Sequence, residues 1–275
     1  MEEDPIKYLD ADELKTYVAG HHEKDYLLVD VRQPEEYSIG HIPGAHFLPL
    51  PELETRLFGL PSDRDLIFYC RTGSRSLAAS LLASEGEVTE KSVYNVSGGI
   101  MAWDGHQIEG FPRVDVLRPD LPMASQMATA MNLEKGAYRF YVRMLDRFTE
   151  TPVAGTVDTL SKAESAHARL VYDIWRPTQT DAQPFDRLFE GLDGDILEGG
   201  DTLSAMLQRF ETLDGDPCIN FVEIALGIEY AAYDLYRTLA EQATDPSARS
   251  AFVTIAQAEK GHMRLLTKAL AKCGP

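Results

Sequence analysis

The spacing of hydrophobic positions changes about 110 residues into the chain. Before that point, short apolar runs alternate with helical patterns, which is typical of a sheet with helices packed on it. The apolar runs that we interpret as strands cover 6–9, 26–31, 45–50, 65–70 and 92–97. The patterns between them that we interpret as helices cover 11–20, 34–40, 51–60, 74–86 and 98–105.

After residue 122 the apolar positions recur at helical spacing. Four long runs, the last beginning at an Asp245-Pro246 N-cap signal, predict helices over about 123–149, 156–175, 218–243 and 247–271. The segment 176–217 is too long for a turn, so we expect a crossover with one or two short helices. The proline-containing stretch before the helices reads as a linker. We therefore predict an α/β domain with a parallel sheet and helices on both faces, a linker and an all-α four-helix bundle with a long crossover, over 1–112, 113–122 and 123–275.

The charge balance excludes some partners. The chain has 44 acidic against 26 basic residues, a net charge of −18, and both halves are acidic. A nucleic acid backbone would be repelled, so we expect no nucleic acid partner. We find no secretory signal and no apolar stretch long enough to span a bilayer, so we expect no membrane association and a cytoplasmic protein.

Three cysteines are present, Cys70, Cys218 and Cys273, and none forms a C-x-x-C pair. We expect no disulfide framework, and we assign Cys218 and Cys273 no role beyond packing. A rubredoxin-type iron centre needs four thiolates, so the chain cannot contain one.

Cys70 stands where an apolar strand meets a helical pattern. Successive backbone amides and a helix N-terminus favour negative charge there, which should lower the thiol pKa and make Cys70 a nucleophile. Arg71 and Arg75 can add charge-assisted contacts to an anionic substrate, and Gly73 lets the loop bend. A phosphatase loop would be a rival interpretation, but it uses Cys-x5-Arg, whereas the shorter Cys-x4-Arg spacing here favours sulfur chemistry.

Residues 5–112 resemble a single-domain rhodanese, a sulfurtransferase that carries a persulfide. The resemblance lies in VDVRQPEEYSIGHIPGAHFLPL (29–50), FYCRTGSRS (68–76) and NVSGGIMAWDGH (95–106). It implies that Cys70 accepts sulfur from thiosulfate or another sulfane-sulfur donor and passes it to a thiol or cyanide. It also implies that Arg75 contacts the substrate anion, that Asp30 and Arg32 are scaffold, and that the sulfur is bound by the loop residues Arg71, Thr72, Gly73, Ser74 and Arg75.

One constellation occurs twice in the helical half, offset by 95 residues. Each copy has a glutamate followed 30 residues later by Glu-x-x-His, whose two side chains share one helix face. Four carboxylates and two imidazoles suit two redox-active metal ions inside a bundle. The candidate metal ligands are Glu134, Glu164, His167, Glu229, Glu259 and His262.

This half, over about 123–271, resembles the ferritin-like di-iron family and rubrerythrin in particular. The matching stretches are LGIEYAAYDLYRTLA and IAQAEKGHMRLL. The resemblance implies two iron ions (manganese suits the same ligands), with Glu164 and Glu259 bridging, Glu134 and Glu229 terminal, and one histidine on each metal. It also implies frequent pairing as homodimers.

The rubrerythrin resemblance has two departures. Ala232 stands where many rubrerythrins have an extra glutamate, and the absent rubredoxin module means that electrons must come from an external donor. The tyrosines that recur with the ligands should serve packing or contact the ligands rather than carry electrons; they are Tyr138, Tyr141, Tyr233 and Tyr236.

Two functions fit these features. The first is a sulfurtransferase whose di-iron domain reduces peroxide or reacts with oxygen. The second is a sulfur carrier or sensor in which the metal-binding bundle is a docking or signalling module.

Overall fold

The computed structural model describes residues 5–118 and 120–273. The chain divides into two compact units, one ending at Phe111 and the other beginning at Pro112. Within the expected linker, Val114–Leu117 forms a 3₁₀ helix whose Leu117 is buried in the core of the second unit. Pro119, in the same stretch, lies outside the described residues.

The first unit is built on a five-stranded parallel sheet in the order β1-β5-β4-β2-β3. The central strands are apolar without interruption because both faces are covered: Leu27 and Val29 face one core cluster, and Tyr26 and Leu28 the other. This confirms the predicted α/β architecture. The strands are β1 Lys7–Leu9, β2 Tyr26–Asp30, β3 His46–Phe47, β4 Asp65–Tyr69 and β5 Val93–Val96. The helices are α1 Ala11–Gly20, α2 Pro34–Ile39, α3 Leu50–Arg56 and α4 Ser74–Glu85.

Two predicted elements of this unit are wrong in extent. The helix expected over 98–105 is only a 3₁₀ turn, Gly99–Met101, because Gly98 and Gly99 have φ values of +78° and +56° that an α-helix does not allow. The strand expected over 45–50 shrinks to two residues, since α3 begins at Leu50 directly after Pro49.

The second unit is a bundle of four long helices joined by a crossover with two short ones, as predicted. The N-cap of the last helix is Asp245, which accepts a hydrogen bond from Ala248 N at 2.8 Å. The first two long helices pack on each other, as do the last two, and the second also packs against the fourth. The helices are α5 Met123–Phe148, α6 Ala154–Trp175, α7 Phe185–Glu190, α8 Leu203–Thr212, α9 Pro217–Gln242 and α10 Pro246–Leu270.

Cys218 and Cys273 form a disulfide, with their Cα atoms 5.4 Å apart. The expectation that these cysteines serve only packing is therefore wrong. The bond joins the first turn of α9 to the residues that follow α10. The two cysteines are 55 residues apart in the chain, but an antiparallel helix pair brings the start of one helix beside the end of the other.

Among the helices of 5–118 and 120–273, none combines the length and the apolar composition that crossing a bilayer requires.

Candidate functional site

Cys70 occupies the turn between β4 and α4. The strand ends at Tyr69, and α4 begins at Ser74 with Gly73 as its N-cap at φ +102°. A Cβ on Gly73 would lie 3.1 Å from Val96 O, so both the left-handed backbone and the close approach require glycine. The first amides of α4 thereby point towards the cysteine, as the sequence predicts.

The Cys70 thiol is 1% exposed. Its Sγ accepts a hydrogen bond from Gly73 N at 3.1 Å and another from Ser76 Oγ at 3.5 Å. Burial by itself would raise the pKa of this thiol, but the donors on Ser76, Thr72 and Gly73 outweigh it and lower the pKa. The loop therefore stabilises a thiolate, the form that attacks sulfur.

Ser76 and Asn95 belong to this site although the sequence did not single them out. The Ser76 hydroxyl lies 2.6 Å from Asn95 Oδ1 and 3.1 Å from Gly73 O, so it joins the loop to the end of β5. Ser76 could have been predicted from its position two residues after the start of α4, because the first turn of a helix faces the preceding loop.

Arg75 has an acidic partner that is distant from it in the sequence. Its guanidinium forms two hydrogen bonds to Glu36 of α2, at 2.6 and 2.7 Å. Bonding to Arg75 lowers the pKa of Glu36 to about 2. Glu36 first, and Cys70 to a smaller extent, raise the pKa of Arg75, so its guanidinium lies near the nucleophile while bonded to Glu36.

The other predicted loop residues face solvent. Arg71, Thr72 and Ser74 are exposed. Asp30 and Arg32, expected as scaffold, form a buried pair with Arg32 Nη2 2.6 Å from Asp30 Oδ2. Arg32 also donates to Gly40 O at 2.8 Å.

The six predicted metal ligands come together in the centre of the bundle. Glu134 and Glu229 come from α5 and α9, and the two Glu-x-x-His faces come from α6 and α10. Their side-chain donor atoms fall into overlapping groups within 4.8 Å of one another. All six are buried or nearly so. This polar layer lies between two apolar clusters that fill the two ends of the bundle.

Each histidine turns one ring nitrogen towards the carboxylates. His262 Nδ1 lies 2.9 Å from both Glu229 Oε2 and Glu259 Oε2. His167 Nδ1 lies 3.0 Å from Glu259 Oε1, 3.3 Å from Glu164 and 3.4 Å from Glu134. The two rings are nearly parallel, with centroids 5.4 Å apart.

The charges of this cluster shift its pKa values strongly. Burial, reinforced by Glu259, raises the pKa of Glu164 well above its usual value and that of Glu229 to about 8. Burial lowers the pKa of His262, but contacts with Glu229 and Glu259 outweigh it and raise the pKa to about 11. The pKa of His167 also rises well above normal. Without metal, the cluster therefore retains protons that a cation would displace.

Two tyrosines of the repeat bind the glutamates across the bundle. The Tyr141 hydroxyl of α5 donates to Glu229 Oε1 of α9, and the Tyr236 hydroxyl of α9 donates to Glu134 Oε1 of α5. Tyr233 is buried in one apolar cluster, and Tyr138 packs edge-on against Phe189. The prediction of ligand contacts and packing is therefore correct for these residues.

A fifth carboxylate, Glu198, was missed. It belongs to the crossover, is 1% exposed, and lies close enough to Glu134, Glu259 and Glu229 for their charges to raise its pKa beyond the effect of burial. No periodic pattern surrounds it, and position 103, its counterpart in the 95-residue repeat, falls in the first unit. The sequence thus carried no signal for it beyond the neighbouring glycines.

The residues fit a pair of metal ions. In the described part of the chain, four side chains of this cluster have buried polar atoms without a hydrogen-bond partner, namely Glu134 Oε2, His167 Nδ1, Glu259 Oε1 and both oxygens of Glu198. Buried polar atoms are normally satisfied. Those of Glu134, His167 and Glu259 belong to one group of donor atoms that lie within 4.8 Å of one another, an arrangement that a cation would bind. Carboxylate and imidazole donors suit iron and manganese alike.

Family models match a part of each of the two units. A family model described as a rhodanese-like domain matches residues 10–106, and one described as rubrerythrin matches residues 220–275. The second match includes the later copy of the repeated ligand pattern.

Individual relatives cover the first unit. A sulfurtransferase of Allochromatium vinosum is 43% identical over 84 residues, which are 30% of this chain and 76% of that protein. A thiosulfate:glutathione sulfurtransferase of Saccharomyces cerevisiae is 36% identical over 32% of this chain and 72% of that protein. A crystal structure of a rhodanese-like domain protein from Staphylococcus aureus is 28% identical, with a TM-score of 0.34, over 38% of this chain and 97% of that one. By the family-model matches and the identity to the Allochromatium vinosum protein, the chain belongs to the rhodanese family through its first unit and carries a rubrerythrin domain in its second.

Proposed function

We propose that the first unit transfers sulfane sulfur through a Cys70 persulfide. The Cys70 thiolate attacks the outer sulfur of thiosulfate or a similar donor, and a new S–S bond forms on Cys70. The S–S bond of the donor breaks, and sulfite leaves with its electron pair. A thiolate or cyanide acceptor then attacks the terminal sulfur, takes it, and restores the Cys70 thiolate.

The observation that carries this proposal is the hydrogen bonding of Cys70 Sγ by the Gly73 amide and the Ser76 hydroxyl. Donors that stabilise the thiolate also stabilise the negative terminal sulfur of a persulfide. Arg71, exposed at the rim, supplies a cation for the anionic end of the donor. The Glu36–Arg75 pair holds α2 against the start of α4 beside the sulfur.

Thiocyanate production from thiosulfate and cyanide tests the reaction. Cys70→Ser should abolish turnover and the mass gain of one sulfur atom after treatment with thiosulfate alone. The control is Cys218→Ala/Cys273→Ala, which leaves Cys70 as the only cysteine and should retain both. Sulfur uptake by Cys70→Ser would reject Cys70 as the acceptor.

We further propose that the second unit is a two-metal redox centre, with iron the cation that the rubrerythrin match favours, acting on peroxide or oxygen. Bound metal would supply the electrons for peroxide reduction, replenished by an external donor. The chain's own residues hold the site: four glutamates and two histidines bind, and Tyr141 and Tyr236 orient Glu229 and Glu134. The apolar clusters above and below exclude water.

Metal content of protein purified without oxygen tests this second role. Wild type should contain about two ions per chain, and His167→Ala/His262→Ala should lose them. Rapid mixing of the reduced protein with peroxide should then give fast oxidation. Slow oxidation of a fully loaded centre would instead favour the carrier or sensor role, in which the bundle docks a partner.

A further inference from the structure

Glu198 stands on a tight turn inside the crossover. Leu197 O accepts from Gly200 N at 2.8 Å, and an antiparallel bridge between Ile196 and Thr202 closes the loop. The Glu198 side chain is 1% exposed, yet neither of its carboxylate oxygens has a hydrogen-bond partner among residues 5–118 and 120–273. A turn is an unusual place for a buried carboxylate, because turns ordinarily face solvent.

The loop is fastened to α5 by contacts two residues before and five residues after Glu134. Asn132 Oδ1 accepts from Gly194 N at 2.9 Å, and Arg139 Nη1 donates to Asp195 Oδ1 at 2.9 Å. Between these contacts the backbone passes so close that a Cβ on Gly136 would lie 2.3 Å from Ile196 O. Several independent contacts thus fix the loop against the helix that carries a metal ligand.

On its other side the loop reaches α9 at a small residue. A Cβ on Gly199 would lie 3.3 Å from Ala231 Cβ, and the next residue, Ala232, is buried beside it. Two adjacent alanines therefore leave space between α5 and α9. The loop passes close to α9 there, and its Glu198 side chain is buried.

The strongest charges acting on Glu198 are carboxylates, first Glu134 and then Glu259 and Glu229. Burying an ionised carboxylate among like charges without a hydrogen-bond partner costs several kcal/mol, so Glu198 must be neutralised either by a proton or by a cation. We propose that Glu198 is a seventh protein ligand of the metal centre, supplied by the crossover on the side of Glu134. The inference rests on the proposed two-metal site and deepens it.

A fifth carboxylate changes what the centre can hold. Four glutamates balance two divalent ions, whereas five carry a charge that fits a more oxidised pair better. Because Glu198 is on one side of the site, it would strengthen the binding of one ion more than that of the other. Removing its charge should therefore weaken a single ion and raise the reduction potential of the centre.

Titration of the metal-free protein with Co²⁺ under nitrogen tests the assignment, because the visible spectrum of Co²⁺ reports its coordination. Wild type should bind two ions. Glu198→Gln should bind one of them at least about 10-fold more weakly, with an altered spectrum. Glu223→Gln, the same change at an exposed position of α9, should match wild type.

A second variant moves the carboxylate without altering it. Gly136→Ala should push the loop away from α5 and weaken the same ion while all seven carboxyl and imidazole ligands remain. Binding of both ions by folded Glu198→Gln with wild-type affinity and spectrum would overturn the inference, as would unchanged binding by Gly136→Ala. Failure of wild type to bind any metal would instead overturn the proposed centre itself.

Discussion

The hydroxyl of Tyr236 on α9 donates a hydrogen bond to Glu134 on α5, a residue 102 positions earlier in the chain. The bond occupies one oxygen of Glu134 and leaves Oε2 without a hydrogen bond among the described residues, with His167 Nδ1 3.4 Å away. It therefore holds the carboxylate in one orientation, with its second oxygen available to a cation.

Tyr236→Phe should weaken metal binding by about 10–100-fold, because loss of a hydrogen bond to a ligand commonly has that effect. Metal dissociation constants from competition with a coloured chelator would measure it. Tyr138→Phe is the control, since Tyr138 contributes ring packing against Phe189. Equal affinity for Tyr236→Phe and wild type would show that the phenol does not position Glu134.

Ser76→Ala should make Cys70 less acidic. The Ser76 hydroxyl is the leading contribution that lowers the pKa of this thiol, so the pH at which iodoacetamide alkylation reaches half its maximal rate should rise in the variant. At neutral pH the alkylation rate should fall several-fold. Ser80→Ala is a matched control, one turn further along α4, where the hydroxyl donates to Ser76 O and Tyr94 O instead. A shared alkylation profile for all three proteins would contradict this role of Ser76.

Arg71→Ala should raise the KM for thiosulfate about 10-fold and change kcat little. One charge-assisted contact to an anion contributes roughly 1.5–3 kcal/mol when shielded and less at an exposed rim. The control is Arg56→Ala, an exposed arginine paired with Glu52 in the same unit. A KM that stays at the wild-type value would show that Arg71 does not bind the anion. The contact with the anion would then be assigned to Arg75, although Arg75 also bonds Glu36.

Metal binding should release protons and become tighter as pH rises. The pKa of Glu229 is raised to about 8 and that of His262 to about 11, so both are largely protonated at neutral pH when no metal is bound. Ligands must lose these protons to bind. Calorimetric titration in two buffers of different ionisation enthalpy would count the protons. Identical heats in the two buffers would show that none is released.

Reduction of the Cys218–Cys273 bond should lower the stability of the second unit by about 2–4 kcal/mol, because a 55-residue loop is no longer closed in the unfolded chain. Thermal unfolding with and without dithiothreitol would measure the loss. Cys218→Ala/Cys273→Ala should unfold at the temperature of reduced wild type and be indifferent to the reagent. A double variant as stable as oxidised wild type would mean that the bond does not contribute.

The six metal ligands were predictable because they obey helical spacing and occur twice. Glu164 and His167 share a face whatever the neighbouring helices do, and the 95-residue repeat fixes which residues correspond. Glu198 obeys neither rule: its burial depends on a loop docking against Gly136 and Ala231. Contacts of that kind are decided by shape in three dimensions.

The same reasoning explains the other residues that were missed. Glu36 lies 39 positions from Arg75, and the two meet only because α2 packs beside the start of α4. Cys218 and Cys273 meet because α9 and α10 have similar lengths and run antiparallel. Strand and helix positions in the first unit could be predicted from apolar runs. The turn at Gly98-Gly99 could not, because the apolar residues after it have helical spacing while the two glycines have positive φ.

The hydrogen bonds from Tyr141 to Glu229 and from Tyr236 to Glu134 are reciprocal. Each of the two helix pairs, α5–α6 and α9–α10, donates a tyrosine hydroxyl to the glutamate of the other pair. A single helix pair of this design would have a phenol and a carboxylate that face outwards. Two identical copies related by a twofold axis would satisfy both. The bundle thus has the internal symmetry of a dimer joined into one chain, and the crossover that joins its halves is also where that symmetry is broken.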